Sequence, residues 1–507
     1  LHAACRSRSV FAVGFVSDPR RSGGPPRVET SLAGCNPAAH ILHRLVAGGR
    51  GREVCSAPAT GVGVSLDRSD SFHPFAETMG IFVVEGGHRL HGRIRPAGNK
   101  NAALPCLAAT MLAAEPVTLQ NIPRIRDVET FLEILASLGA EVSWGGPHEV
   151  TVDAREVRRA SIDEGLARQI RASVLLAGPL LARFGNVKLP PPGGDVIGRR
   201  RMDTHFLAFE RLGATVSLDS GFTIEAVELR GADVFLDEPS VTGTENAIMA
   251  AVRARGRTKL RNAAAEPHVQ DLCHLLNAMG AIISGIGTHV LDIEGVEELG
   301  GATFRVGADH IEAGSFIGLA AVTRSDLTIE GAPVEHMDST LLGFSRLGID
   351  CEVRGDDLFV HGGAEHHVRQ DAFGQVPKVD DGPWPAFPAD LTSIALVAAT
   401  QCHGTVLIHE KMFESRMYFT DKLVAMGATI VLCDPHRAVV VGPRTLQGGH
   451  VESPDIRAGM ALLIAALGAE GTSRIHNIRQ IERGYEAIDA RLTSLGARVR
   501  RDEQTDG

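Results

Sequence analysis

Cations stand at the starts of apolar helices in this chain, where electrostatics alone disfavours them. Lys100 precedes AALPCLAA, Arg171 opens ASVLLAG, and Arg457 leads into AGMALLIAA. A helix N-terminus carries partial positive charge and unpaired N–H groups, so a cation there implies an anion beside it. Further arginines lie in polar loops: Arg200 in GGDVIGRRRMDTH, Arg416 in FESRMY and Arg483 in IERGYE. Guanidinium groups fork onto phosphate or carboxylate, so the set suits a ligand bearing both. Each arginine taken singly also reads as a solvated surface residue.

Two carboxylates add proton chemistry. Asp195 sits in PPPGGDVIG, whose prolines and glycines exclude helix and strand and suggest a hinged lid. Asp390 sits in WPAFPAD, just before LTSIALVAA. One acid and one base serve a proton-coupled addition. The plainer readings are a turn former for Asp195 and ordinary N-caps for Thr244, Asp390 and Asp455.

The elements that must position these residues follow a repeat. LASLGAEVSW, FERLGATVSL, LNAMGAIISG, FSRLGIDCEV, LVAMGATIVL and LTSLGARVRR recur at intervals of roughly 70 residues. Each reads as a helix closed by glycine and followed by a strand. Short alternating strands recur in phase: PVTLQNI, NVKLPPP, TKLRNAA, LTIEGAP, VLIHEKM and SRIHNIR. Alanine-rich stretches that are apolar on nearly all faces precede them and belong inside. Six units exceed one core, so an α/β fold of two domains with three units each is expected.

Composition agrees with a soluble α/β chain: 44% of residues are hydrophobic and 22% charged. A net charge of −10 argues against nonspecific nucleic-acid binding, and no apolar run is long enough for a membrane helix. The 8 cysteines have no metal-ligand spacing and read as free thiols. The histidines are scattered and the Gly-rich stretches lack phosphate-loop and dinucleotide spacing, so no metal, cofactor, nucleotide hydrolysis or hydride transfer is expected. Residues 1–78 are rich in Arg, Gly, Pro and Ser without periodicity, and read as an unstructured or non-native extension before Met79. VFAVGFV lacks a cleavage site after it, so export is not expected.

RPAGNKNAALPCLAATMLA, GGDVIGRRRMDTH, WPAFPADLTS, FESRMY and IERGYEAID occur in that order. In these motifs the chain resembles the enolpyruvyl transferases, specifically the UDP-N-acetylglucosamine 1-carboxyvinyltransferases, from Met79 to the C-terminus. The resemblance implies an inside-out α/β barrel fold in which residues 79–99 and 308–507 form one discontinuous domain and 100–307 an inserted one. It implies phosphoenolpyruvate and UDP-N-acetylglucosamine as substrates, the first committed step of peptidoglycan synthesis, and a cytoplasmic location.

Residue by residue, Lys100 and Asn101 match contacts to phosphoenolpyruvate and the sugar, while Arg171, Arg200 and Arg483 match the cations around the reacting anion. Asp390 matches the carboxylate that takes the hydroxyl proton. Met412 matches a backbone contact to the sugar nucleotide; Asp203, Thr204 and His205 match the uridine end; Arg416 and Arg457 match further cations beside the cleft. Most members carry Cys where this chain has Asp195, and that thiol is the proposed proton donor and the target of the epoxide fosfomycin. The resemblance therefore implies a fosfomycin-insensitive variant. Two other readings remain. The sister enzyme acting on shikimate 3-phosphate lacks support, since its G-S-K-S and G-N-A-G-T stretches are missing and G-N-K-N-A-A-L stands in the first place. A non-catalytic module binding a nucleotide sugar would leave the cations and Asp390 idle.

Overall fold

All six glycines of the repeated Leu/Met-Gly motif adopt positive φ: 105° at Gly139, 96° at Gly213, 105° at Gly280, 80° at Gly348, 103° at Gly427 and 95° at Gly496. This left-handed geometry closes the last helical turn, and glycine adopts it without a Cβ clash. The helix Arg126–Leu138 shows the pattern: Asp127 and Glu129 complement the dipole in its first turn, Gly139 caps it, and Val128, Phe131, Leu135 and Leu138 bury one face.

The computed structural model describes residues 80–195, 197–218 and 221–503, all within the compact unit Phe75–Gly507. The expectation for the tail of residues 1–78 lies outside the described residues.

Among the described residues six sheets correspond to the six units, five of four strands and one of three. In the first, Val117–Gln120 pairs antiparallel with Glu149–Asp153, Leu119 opposite Val150, and parallel with Thr303–Arg305. Gly80–Glu85 lies between Thr472–His476 and Arg498–Glu503, so the first described strand completes the last unit's sheet. Residues of strands such as Arg257–Arg261 alternate between buried and exposed, one face turned to water, whereas Gly80–Glu85 is buried on both faces up to Glu85.

The alanine-rich helices lie inside. His310–Val322 is buried along its whole length, and Ile456–Gly468 at every position but the last. Close approach between such helices depends on small residues: a Cβ on Gly318 would lie 2.4 Å from Ile394 of the helix Thr392–Ala399. Sheets outside and apolar helices inside make the inside-out α/β arrangement that the resemblance implied, with the alanine-rich helices where the repeat pattern placed them. Among the described residues no helix is long and apolar enough to cross a membrane.

The apolar interior divides in two. One core runs from Ala102 to Val306; the other combines Phe82–Ile94 with residues from Ile311 to Ala497. The chain passes between them twice, side by side: Asn99 N–H donates to Gly307 O at 2.9 Å and Asp309 N–H to Ala97 O at 2.8 Å. Buried Glu312, paired with Arg491, also accepts from the Ala97 N–H.

Candidate active site

Buried Asp127 gathers two cations from distant parts of the chain. Its carboxylate lies 2.7 Å from Lys100 Nζ and 2.8 Å from Arg483 Nε. Lys100 is the first residue of the helix Lys100–Ala109, capped by the Asn99 side chain, and Arg483 follows the short helix Arg479–Glu482. Burial pushes the Asp127 carboxyl up, but Lys100 and Arg483 outweigh it and hold the group below the ordinary carboxylate range. Arg483 Nη1 donates to Asp195 and, at 2.8 Å, to Gln480 Oε1. Asp195 thus lies against the second core, although it belongs to an irregular loop of the first. That loop makes two further contacts there: Ser415 N–H donates to Ile197 O at 3.1 Å, and Arg199 N–H to Glu414 Oε2 at 3.1 Å.

A second carboxylate, Asp390, bridges two arginines. Oδ1 lies 3.0 Å from Arg416 Nη2, and Oδ2 lies 3.0 Å from Arg457 Nε. Burial raises the Asp390 carboxyl, but Arg457 and Arg416, with Lys100 beyond them, dominate and hold it far below the usual range. The N–H groups of Arg416 at Nε and Nη1 and of Arg457 at Nη1 are buried without a hydrogen-bond acceptor among the described residues. The nearest candidate for Arg416 Nε is Glu410 Oε2, at 3.5 Å. Buried donors of this kind are costly unless something accepts from them, and an anion serves.

The remaining cations differ in kind. Arg171 Nη2 donates to the Arg200 carbonyl at 2.9 Å and touches Met202 Sδ at 3.2 Å. Burial, with Arg200 nearby, lowers the Arg171 guanidinium to about 10. Among the described residues neither Arg171 nor Arg200 has an ion-pair partner within 4.0 Å. Arg200 feels Asp195, Asp390, Arg416 and Arg483, so the two carboxylate-centred clusters share one field.

Asp203, Thr204 and His205 lie on the helix Asp203–Arg211, which starts beside Met202. Asp203 pairs with Arg201 at 3.2 Å, Thr204 Oγ1 donates to Asp237 at 2.7 Å, and His205 bonds Thr242 and Asn246. Asn101 is half-buried next to Lys100; Pro105, four residues on, has no N–H for its carbonyl. Met412 is partly exposed, and its N–H donates to Glu410 Oε1 at 3.2 Å. The structure therefore brings Lys100, Asp195, Arg200, Asp390, Arg416, Arg457 and Arg483 into one electrostatic site, with Arg171 and the Asp203–His205 group adjoining it.

Residues 84–492 match the family described as EPSP synthase (3-phosphoshikimate 1-carboxyvinyltransferase). A protein of Bradyrhizobium diazoefficiens, a UDP-N-acetylglucosamine 1-carboxyvinyltransferase, is 60% identical over 420 residues, which cover 83% of this chain and 97% of that relative. The chain belongs to the UDP-N-acetylglucosamine 1-carboxyvinyltransferase family. The like-named protein of Treponema pallidum is 55% identical, over 83% of this chain and 99% of its own length. Among solved structures, the enolpyruvyl transferase NikO from Streptomyces tendae shares the fold with a TM-score of 0.75 at 24% identity, covering 84% of this chain and 100% of that one.

Three residues of the candidate site, Asp127, Tyr485 and Glu410, were not named from the sequence of this UDP-N-acetylglucosamine 1-carboxyvinyltransferase family member. Asp127 lies in the first turn of Arg126–Leu138, where an acid complements the helix dipole and draws no notice. Tyr485, fully buried, bonds Ser315 Oγ at 2.9 Å and lies under Arg457, whose guanidinium is 5.3 Å from the ring centre. Asp455 does cap the helix Ile456–Gly468, accepting from the N–H of Arg457 and Ala458 at 2.9 Å each. Burial raises its carboxyl while Arg416 opposes. Glu410, pushed up to about 9 by burial against the pull of Arg416, anchors the turn containing Met412 and Phe413.

Two cap readings need correction. Ser240, not Thr244, caps the helix Val241–Ala251; Thr244 Oγ1 instead accepts from Ala264 N–H at 2.9 Å. The Asp390 carboxylate is drawn to the arginines, and the helix Thr392–Ala399 starts from Leu391 without a side-chain cap. Two cations outbid backbone N–H groups for a carboxylate.

Three buried histidines set an acid limit for this family member. Burial holds His205, His268 and His310 down to about 3. Below the ordinary imidazole pKa the unfolded chain takes up protons that the folded chain refuses, so stability falls as pH drops from about 6.5 toward 3. Each histidine accounts for roughly 2 kcal/mol of this loss by pH 5. Urea midpoints should therefore fall steeply between pH 7 and pH 5; equal midpoints would show the histidines to be titratable in the folded chain.

Proposed function

We propose that this chain transfers the enolpyruvyl group of phosphoenolpyruvate to the 3'-hydroxyl of UDP-N-acetylglucosamine, the first committed step of peptidoglycan synthesis in the cytoplasm. The observation that carries the reading is the set of unpartnered guanidinium N–H groups beside Asp390, in a site that also holds Lys100, Arg200 and Arg483. Such a site neutralises a phosphate and a carboxylate together, and its attraction grows as the leaving phosphate forms.

In the proposed reaction the sugar oxygen bonds to C2 of phosphoenolpyruvate while C3 takes a proton from Asp195. The hydroxyl proton passes to Asp390. The tetrahedral ketal then loses a proton from C3 as the C2–O bond to phosphate breaks, and phosphate departs. Asp390 starts as a weak base because Arg416 and Arg457 hold it ionised. A phosphate accepting from those same arginines shares their charge and makes Asp390 more basic. Arg483, now engaged with Asp195, turns to the substrate anion, and Asp195, having taken up a proton from solvent, moves to C3. Asp203, Thr204 and His205 hold the uridine end, with Arg171, Asn101 and the Met412 backbone along the sugar nucleotide. Residues 79–99 with 308–507 and residues 100–307 act as two domains that approach over the substrates.

Phosphate release measured with UDP-N-acetylglucosamine and with shikimate 3-phosphate as acceptors tests the reading. Turnover is expected with the first alone; no turnover with either refutes it and favours a binding module. A carboxylate is a poor nucleophile toward an epoxide, so fosfomycin should leave the rate unchanged, and Asp195→Cys should create time-dependent inhibition with a covalent adduct. Labelling of the parent chain at Asp195 by low fosfomycin would contradict this.

A further inference from the structure

Outside the site, the fold assembles a ligand set that no spacing in the sequence announces. Glu365, His367 and His403 place one carboxylate oxygen and two imidazole nitrogens within 4.8 Å of one another. His367 and His403 are 36 residues apart, but they face each other as an isolated parallel bridge. Two backbone bonds fix that register: Val368 N–H donates to His403 O at 2.9 Å, and His403 N–H to His366 O at 2.7 Å. The imidazole rings stack with centres 4.7 Å apart and planes 19° from parallel. Both turn Nε2 toward the same oxygen, Glu365 Oε2, at 3.8 Å from His367 and 3.9 Å from His403.

We propose that Glu365, His367 and His403 bind a divalent transition metal of the zinc class. Two imidazoles and a carboxylate are borderline ligands suited to zinc, and three protein donors leave a fourth position for water. Bonds of about 2.0–2.1 Å in tetrahedral geometry place donor atoms roughly 3.3 Å apart. The two imidazole-to-carboxylate separations exceed this by about half an ångström, and rotations about the side-chain χ angles would bring all three donors, now within 4.8 Å of one another, onto one ion. The backbone scaffold is already set, so the metal orders side chains only.

The location gives the metal a structural role. His403 lies just beyond the C-terminal end of the helix Thr392–Ala399, whereas Asp390 lies just before its start. About 12 Å of helix separates the two ends. A bound ion therefore ties the segment carrying Glu365 and His367 to the far end of the helix that positions Asp390, without entering the reaction.

Metal-free full-length chain titrated with zinc by calorimetry tests the assignment. One equivalent is expected to bind with micromolar or tighter affinity and to raise the thermal midpoint. The double substitution His367→Ala/His403→Ala should remove that equivalent and the thermal shift, and Glu365→Gln should weaken binding about tenfold. Phosphate release should be unchanged in both variants, which also reports intact folding. Cobalt bound in place of zinc should show ligand-field bands without a thiolate charge-transfer band, distinguishing this site from the exposed thiol of Cys433. Retention of the equivalent in the double variant, or its absence from the parent chain, overturns the proposal.

Discussion

Asp390→Asn should lower the rate of phosphate release by at least about a hundredfold, the usual loss when a positioned proton acceptor is removed. The same change leaves Arg416 and Arg457 as buried neighbours without their shared counter-ion; breaking a fully buried pair from one side costs about 3–5 kcal/mol, and the 28% exposure of the Asp390 side chain puts this loss at or below the lower end. The urea midpoint should therefore fall, and inorganic phosphate should restore more of it in the variant than in the parent, because the anion supplies the missing charge. The Asp390 carboxyl is held far below its unfolded value, so its contribution is present above about pH 4 and is lost as pH falls below that. An Asn variant that turns over at the parental rate would move the proton-accepting role elsewhere in the site. Asp455, whose carboxyl burial raises, is the alternative.

Asp127→Ala should be comparably severe, although no expectation from sequence placed Asp127 in the site. Its carboxylate is the common partner of Lys100 and Arg483, which come from opposite cores. Without it, Lys100 has no ion-pair partner among the described residues, and Arg483 keeps only Asp195. We expect at least a hundredfold loss in kcat/KM, with KM for phosphoenolpyruvate rising and KM for the sugar nucleotide nearly unchanged. A merely structural role would lower the unfolding midpoint and leave that split absent. Asp127→Glu, which keeps the charge, should recover part of the activity.

The repeat was legible because it rests on local chemistry. A glycine after Leu or Met, a helix apolar all round and a short alternating strand each constrain the backbone within a few residues. The six left-handed glycines and the buried alanine-rich helices follow directly. Lys100 and Arg457 were legible for the same reason: a cation at a helix start is a local anomaly. The anion each one faces in this structure is a protein carboxylate, Asp127 or Asp390, and only the tertiary fold brings those groups together. Asp127 was hidden because an acid in a first helical turn is what helix electrostatics favours anyway. His367 and His403 were hidden by chain separation, since a bridge between distant segments leaves no spacing to read. The plainer cap reading fails at Thr244 and Asp390 because capping preference is weak against a competing partner: a backbone N–H for the first, two guanidinium groups for the second.

The paired crossings at Ala97–Asn99 and Gly307–Asp309 form a short two-stranded ribbon, tied in both directions by backbone hydrogen bonds. A single strand swivels freely about its length; a ribbon resists torsion and yields chiefly by flexing across its flat face. Any relative motion of the two cores would thereby be guided toward one angular coordinate, which would keep the register of Arg483 against Asp127 and Asp195.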